Sequence, residues 1–374
     1  MRYADLEALR VPLPDDQPID PAFARAVGVE IPALRQLYRE VFDDLDDEVF
    51  GVRWWAGQLG TTRRILVSHH LVECIRSVEI NLVEASLHLL EATDHWERES
   101  DFLADVIQRR PDGSLQYEAR PRATPAEDLS RRLATLHVVG FVRAIGSALD
   151  CLGASIIGVL ALPRDLRFAD FGKAQKALAK AAYPLQQDFA RRHEIAISEV
   201  GPAGWLQWTL DLRNMYVHRG RRSHTSQLLP RPEGIYGPDG QLVPRLMALE
   251  QLPSDPYRSQ VEAFVAIDEK APVLTEHAEV TLRGIRRSTV DLVTWAARDL
   301  VEIWRTRRAS PEDLAQSKEQ WPEGCSRETS GFIGFSPGSA QYDPTEIHTD
   351  RDTWRQFRTA ALEDAVRPRW ASFD

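Results

Sequence analysis

The sequence predicts an all-α fold: a helical bundle with additional peripheral helices and a small irregular or β-hairpin insertion. Three observations predict this class. Long segments repeat apolar residues at the helical spacing of three and four. One of them opens on a complete helix-capping sequence. Prolines fall between these segments or near their starts, where they do not interrupt helical hydrogen bonding.

The N-terminal part of the chain combines an extended start with two helices. Residues 1–30 carry several prolines and acids and are interpreted as an extended lead-in. Helical spacing predicts helices over residues 31–50 and 62–93. The charged stretch EATDHWERESD at 91–101 is interpreted as a solvated helix end. Residues 109–122 (RRPDGSLQYEARPR) break the chain.

The clearest helix start is at Thr124. A capping hydroxyl at Thr124, a proline at Pro125 and a carboxylate at Glu127 together satisfy the amide donors that a helix N-terminus leaves open. The helix that follows is apolar nearly all round, which predicts a central position in the bundle. We expect Pro163 to end it.

Two further helices and an insertion complete the middle of the chain. A helix is predicted over 168–200 with an interruption near Pro184, and another over 204–219, where Gly220 suits the left-handed position after a helix end. Residues 227–275 are rich in proline and glycine, and IYGPDGQLV within them suggests a small hairpin. They are interpreted as an insertion.

Helix returns at 276–307, and a short final helix is predicted at 354–365. These elements divide the chain into three regions. They are an N-terminal extension with a helical region (1–122), a helical core that contains the insertion (123–308) and a C-terminal extension (309–374).

Composition and charge narrow the class of protein. The chain is 43% hydrophobic and 27% charged, as in ordinary soluble proteins, and its net charge of −10 argues against non-specific coating of nucleic acid. Cys74, Cys151 and Cys325 form no paired motif, which fits a reducing compartment. The N-terminus lacks the apolar core of a signal peptide, and the apolar run 151–163 is shorter than the ~20 residues of a membrane span. We therefore predict a cytoplasmic protein without a membrane association.

The sequence indicates no metal site and no cofactor. His69, His70 and Glu73 lack the spacing of the zinc-protease helix. The glycine-rich stretch GFIGFSPGS lacks the helix pattern of a dinucleotide site, and no serine lies in a nucleophile-elbow motif.

The residues with the clearest chemical potential are RNMYVH at 213–218. Asn214 and His218 are four residues apart and lie one helical turn from each other. Arg213 offers a fork of donors that matches a phosphate. His218 can exchange a proton near neutral pH, and Asn214 can hold the backbone or the imidazole. These groups suit metal-free RNA cleavage, which needs proton transfer and stabilisation of the phosphate charge.

The segment around this motif is basic. No acidic residue occurs between Arg213 and Pro232, whereas five arginines do. Of these, Arg219, Arg221 and Arg222 are the candidate RNA-binding residues. An equally simple interpretation is that these cations complement the dipole at a helix C-terminus.

The pattern Arg-Asn-x-x-x-His at a helix end resembles the signature of the HEPN superfamily, whose active members are metal-independent ribonucleases. The stretch FVRAIGSALDCLGA at 141–154 resembles an earlier bundle helix of that superfamily. The resemblance covers about residues 127–220 and extends to 276–307. It implies a four-helix core and a homodimer in which two motif helices face each other across a shared cleft.

The resemblance also implies residue roles. Arg213 contacts the scissile phosphate, Asn214 orders the site, and His218 acts as acid or base to give a cyclic phosphate and a 5′-hydroxyl. Asp150 orients Arg213. The expected function is an RNA endonuclease, such as a toxin or anti-phage effector, with an antitoxin or regulatory protein as a possible partner. The alternative is a non-catalytic module that binds nucleic acid or a partner protein through the same cleft.

Overall fold

The computed structural model describes residues 21–43, 61–109, 115–117, 124–164, 166–218 and 278–309. This part contains eight α-helices, one 3-10 helix at Leu166–Phe168 and two three-residue strands. The prediction of an all-α fold is confirmed. The helices are α1 (Pro21–Ala26), α2 (Pro32–Asp43), α3 (Thr61–Val106), α4 (Pro125–Val159), α5 (Phe171–Leu178), α6 (Pro184–Glu199), α7 (Trp205–His218) and α8 (Ala278–Ala309).

The N-terminal helices differ from their predicted extents. Helix α1 lies within the predicted extended lead-in, so that interpretation is wrong for its six residues. Pro21 occupies the first helical position, where a missing amide hydrogen costs nothing, and Ala24 and Val27 are buried. Helix α3 continues thirteen residues beyond the predicted end at Thr93.

Two short strands lie where the sequence predicted a break. Strand β1 (Ile107–Arg109) pairs antiparallel with β2 (Leu115–Tyr117), and Gln108 lies opposite Gln116. The pair follows directly on α3.

Helix α4 begins with the predicted capping box. The Thr124 amide donates to the Glu127 carboxylate (2.7 Å), and the Glu127 amide donates to the Thr124 hydroxyl (3.3 Å). The regular helix ends at Val159, four residues before Pro163, and Ala161 follows with a positive φ of 48°. The sequence therefore predicted the start of α4 more closely than its end.

The predicted helices on either side of Pro184 are confirmed as α5 and α6. Helix α5 is capped by Asp170, whose carboxylate accepts from the Lys173 amide. Helices α7 and α8 match the segments predicted at 204–219 and 276–307. The insertion at 227–275 with its hairpin, the helix at 354–365 and Gly220 lie outside the described residues.

The chain forms two compact units, each built from three separate stretches. The first unit draws on the described residues of Met1–Ile31, Ser77–Leu149 and His193–Trp295. In it, Arg286 of α8 donates to the Val27 carbonyl (2.9 Å), which secures the end of α1. The carboxylate of Glu79, on α3, accepts from the Ile31 amide. Fully buried side chains such as Leu82, Phe141 and Ile145 form the core of this unit.

The second unit draws on the described residues of Pro32–Arg76, Asp150–Arg192 and Ala296–Asp374. Two ion pairs link its elements: Arg305 with Glu40 (2.5 Å), and Arg192 with Asp299 (2.7 Å). The Gln186 side chain donates to the Leu160 carbonyl, so the end of α4 is tied to α6. The predicted division of the chain at 122/123 and 308/309 stays a prediction.

Helix α4 is long and apolar enough to cross a membrane by length and composition. However, 78% of its most apolar window is buried inside the protein. The core helices of soluble proteins have this character, so a soluble protein is compatible with the structure.

Candidate functional site

Helix α7, which carries the RNMYVH motif, is anchored at its first residue. The indole nitrogen of Trp205 donates to the Ile197 carbonyl (2.9 Å), which ties α7 to the end of α6. Gly204 precedes the helix with a φ of +81°, a conformation that favours glycine. A Cβ atom at Gly201 would lie 2.7 Å from both the Ser288 hydroxyl and the Trp205 ring. Gly201 therefore permits a close approach at the start of α7, and Gly204 supplies the positive φ.

One face of α7 forms a buried stripe. Trp205 and Leu212 belong to it, whereas Trp208 is only half-buried. Thr209 and Tyr216 complete the stripe at spacings of four, three and four residues. The Thr209 hydroxyl donates to the Trp205 carbonyl, which satisfies it inside the helix. Apolar spacing alone does not reveal this use of threonine.

The motif residues occupy the last turns of α7. Arg213 is half-buried, Asn214 is exposed, and His218 is the final residue of the helix. The side-chain position of His218 lies outside what the structure describes, as do Arg219, Arg221 and Arg222. The predicted placement of the motif at a helix end is therefore reproduced at the level of the backbone.

The Arg213 side chain packs against helix α4 at Gly146, where there is no side chain. A Cβ atom at Gly146 would lie 2.7 Å from Nε, 2.8 Å from Cδ and 2.9 Å from Cγ of Arg213. Any side chain at position 146 would have to displace the arginine, because real Cβ atoms do not approach so closely. Gly146 thus determines the path of the Arg213 side chain. Sequence reasoning missed this contact, since 67 residues separate the partners.

Asp150 lies on α4, one turn after Gly146. Its carboxylate accepts a hydrogen bond from the Phe171 amide (3.2 Å), at the first residue of α5. The structure therefore gives Asp150 a structural contact that the sequence did not predict. Its proposed role in orienting Arg213 stays a prediction.

A second polar cluster lies on α3 and α4 within the first unit. His88 and His137 face each other with 3.0 Å between their Nδ1 atoms, and His95 Nδ1 lies 3.0 Å from the Ser130 hydroxyl. Glu91 lies close to His95 and His137. Burial lowers the pKa of His88 and of His95, which favours their neutral forms.

The sequence signal for this cluster was misread. The stretch at 91–101 was interpreted as a solvated helix end, yet α3 continues through it, and His95 and Trp96 are buried. That interpretation is wrong for these two residues and also for Ala92 and Thr93, which are buried as well. His137 lies 42 residues after His95, so only the pairing of the two helices reveals the cluster. A repeat of His and Glu at spacings of three and four, as in His88, Glu91 and His95, is the signal that could have found it.

Two cysteines meet in the second unit although they form no sequence motif. Cys74 and Cys151 are free cysteines whose thiols influence each other's ionisation. Interaction with Cys151, together with burial, raises the pKa of the Cys74 thiol, whereas interaction with Cys74 lowers the pKa of the Cys151 thiol. The His70 ring lies 3.5 Å from the Cys74 sulfur, and Glu73 pairs with Arg76. His70 and Glu73 thus have structural partners.

No protein-family model, curated protein or solved structure matches the chain.

Proposed function

We propose that the chain is a metal-independent RNA endonuclease of the HEPN type, with Arg213, Asn214 and His218 as its catalytic residues. The observation that carries this proposal is the packing of Arg213 on Gly146. The two stretches that resemble the superfamily, 141–154 and the motif helix, lie on α4 and α7 and touch at this point. The resemblance at 141–154 and the motif at 213–218 are separate sequence signals, and the contact between Gly146 and Arg213 links them.

The chemistry follows from these side chains. Cleavage begins when a base takes the proton of the 2′-hydroxyl, whose oxygen then attacks the adjacent phosphorus. The bond to the 5′-oxygen breaks, and that oxygen takes a proton from an acid. The products are a 2′,3′-cyclic phosphate and a 5′-hydroxyl. His218 serves as the acid or the base, and Arg213 stabilises the charge on the phosphate oxygens.

The exposure of Asn214 supports a site at the protein surface that a large substrate can reach. The basic residues Arg219, Arg221 and Arg222 would contact the RNA backbone on the 3′ or 5′ side of the cut. A homodimer would bring two motif helices together in a shared cleft. A cytoplasmic toxin or anti-phage effector, restrained by an antitoxin or regulatory protein, fits these properties.

The test is RNA cleavage by the purified full-length protein in the presence of EDTA. Wild-type protein and His218→Ala are incubated with total RNA, with Gln207→Ala as the matched control, because Gln207 is exposed on the same helix. We expect His218→Ala to lose about 10²-fold or more of the rate, as for a removed acid–base group. Gln207→Ala keeps the wild-type rate.

The ends of the fragments provide a second readout. Products with a 5′-hydroxyl accept labelled phosphate from a polynucleotide kinase without prior dephosphorylation. Equal cleavage by wild type and His218→Ala, or fragments with 5′-phosphates, would overturn the proposal. Intact RNA together with tight binding of RNA or of a protein would also overturn it, in favour of the non-catalytic binding module.

A further inference from the structure

The polar cluster on α3 and α4 is arranged as one stripe facing another. On α3, spacings of four, three and four residues place Glu84, His88, Glu91 and His95 on one face. On α4, Ser130 and His137 are seven residues apart and therefore share a face. The contacts between His88 and His137 and between His95 and Ser130 show that these two faces meet.

Three of these side chains converge on one point. Glu91, His95 and His137 each direct one potential ligand atom into a region where all three atoms lie within 4.8 Å of one another. Zinc binds nitrogen and carboxylate oxygen at about 2.0–2.2 Å, so two ligands of a tetrahedral ion are about 3.3–3.6 Å apart. Rotations of the half-buried Glu91 and His137 side chains towards the buried His95 ring would cover the remaining difference.

One ring nitrogen of each converging histidine, Nδ1, already has a polar neighbour. Nδ1 of His95 lies against the Ser130 hydroxyl, and Nδ1 of His137 lies against His88. The Nε2 atoms therefore remain for a ligand. Histidines that bind metals almost always have the second ring nitrogen held by a hydrogen bond in this way, because that bond fixes the ring and its tautomer.

His88 is itself held by the fold. A Cβ atom at Gly140 would lie 2.4 Å from Nε2 and 2.5 Å from Cε1 of His88, so only glycine leaves room for this ring against α4. The same Nε2 atom lies 3.7 Å from the Glu84 carboxylate. The contacts of Glu84 with His88 and of His88 with His137 thus hold the His137 ring in place.

The donor set favours a transition-metal ion such as zinc over calcium and magnesium. Calcium and magnesium prefer oxygen ligands, whereas two imidazoles with one carboxylate suit zinc. Three protein ligands leave a fourth tetrahedral position for water or another small ligand. A hydrogen-bonded network without an ion is the competing account, and it predicts no saturable metal binding.

We propose that Glu91, His95 and His137 bind one Zn²⁺ ion, with His88 and Ser130 positioning the two imidazoles. This site is separate from the motif helix, since His137 precedes Gly146 by nine residues, or about 13 Å along α4. It contains none of the proposed catalytic residues, so a failure to bind Zn²⁺ would not contradict the proposed RNA cleavage.

The test is Zn²⁺ titration of the full-length protein after removal of metal with a chelator, read by competition with a chromophoric chelator. We expect one equivalent per chain. His95→Gln and His137→Gln lower the affinity by about 10²-fold or more, and Glu91→Gln by at least about tenfold, because each removes a direct ligand. Glu97→Gln is the matched control, since Glu97 is exposed on the same helix.

Gly140→Ala tests the supporting role of His88 without altering any direct ligand. It displaces the His88 ring, and we expect a loss of about 10- to 100-fold in Zn²⁺ affinity. Its far-UV circular dichroism shows whether α3 and α4 are still formed. Should His95→Gln fail to fold, Glu91→Gln and Gly140→Ala decide the question.

Cobalt provides a spectroscopic signature. Co²⁺ in place of Zn²⁺ gives the strong visible absorption of a four-coordinate ion in wild type and in Glu97→Gln, but not in His137→Gln. Absence of one-equivalent Zn²⁺ binding by wild type would overturn the proposal. Unchanged affinity in all three direct-ligand variants would overturn it as well, because the ion would then be bound elsewhere.

Discussion

At the scale of single residues, Gly146 leaves the space that the stem of the Arg213 side chain occupies. Gly146→Ala places a methyl group where the Arg213 stem lies and forces the guanidinium to move. We expect RNA cleavage to fall by up to about 10²-fold, since a misplacement near 1 Å can cost that much. The measurement is kcat/KM on a short RNA.

Gly284→Ala is the control for this prediction, because nothing lies within 4 Å of a Cβ atom at Gly284. It should keep the wild-type activity. Full activity in Gly146→Ala, in a protein whose helix content is unchanged, would contradict the role given to the Arg213 contact.

His193 makes the stability of the fold dependent on pH. It is 2% exposed beside the Trp295 ring, and burial lowers its pKa to about 4. In the unfolded chain its pKa is about 6.5. As the pH falls below 6.5, the unfolded state takes up the proton first, so stability present above this pH is lost towards pH 4.

For His193 alone, the free energy of unfolding should fall by about 2–3 kcal/mol between pH 7 and pH 4.5. Urea titrations at the two pH values measure it. His193→Gln cannot take up this proton, so its loss over the same interval should be smaller by that amount. An equal loss in both proteins would show that His193 does not contribute.

At the scale of elements, the start of α5 depends on a glycine of α4. A Cβ atom at Gly153 would lie 2.7 Å from the Phe171 Cα and 2.8 Å from the Asp170 carbonyl group. These are backbone atoms and cannot rotate away. Gly153→Ala should therefore destabilise the protein by about 1–3 kcal/mol.

A glycine-to-alanine substitution on α8 should have the opposite effect on stability. Gly284 is exposed and has open space around it, so Gly284→Ala should stabilise the helix by about 0.5–1 kcal/mol. Chemical unfolding of both variants tests the pair. A stabilised Gly153→Ala protein would mean that α4 and α5 are not in close contact there.

Helix starts were more predictable from the sequence than helix ends. The start of α4 could be predicted from Thr124, Pro125 and Glu127, because capping depends on residues that are close together in the chain. The continuation of α3 past Thr93 carries no such local signal. Among the described side chains of this continuation, Asp94, Glu97 and Arg98 are exposed, whereas His95 and Trp96 are buried.

In the candidate sites too, features local in the sequence could be predicted, whereas contacts between distant residues could not. The motif at 213–218 is contiguous and could be recognised from spacing. Its support by Gly146 and the meeting of His95 with His137 depend on how helices pair, which a single sequence does not state. Contacts between residues distant in sequence depend on which helix faces pack together. A glycine can be recognised as a close-contact position only when the residues around it in the fold are known.

At the scale of the whole molecule, the proposed nuclease should work as a dimer of 42.4 kDa chains. Wild type is co-refolded or co-expressed with excess His218→Ala so that chains mix at random. With one wild-type chain in ten, activity should fall to about 1% if both motifs of a cleft are required, and to about 10% if each acts alone. Sedimentation verifies the dimer. A 10% value would reject the shared cleft while leaving the assignment of His218 intact.

The late position of α8 in the chain has a consequence for synthesis. Arg286 contacts Val27 across 259 residues, and Arg305 contacts Glu40 across 265. At about 5–20 residues per second, a ribosome needs about 13–50 s to span such an interval. During this time, each compact unit lacks its part of α8, because that helix has not yet been synthesised.

The motif helix is also affected, because Ser288 of α8 packs beside Gly201, just ahead of α7. The start of α7 is thus fully supported only after translation has passed residue 288. Under the proposed function, a nascent chain would leave the ribosome's own RNA uncut until translation has passed α8.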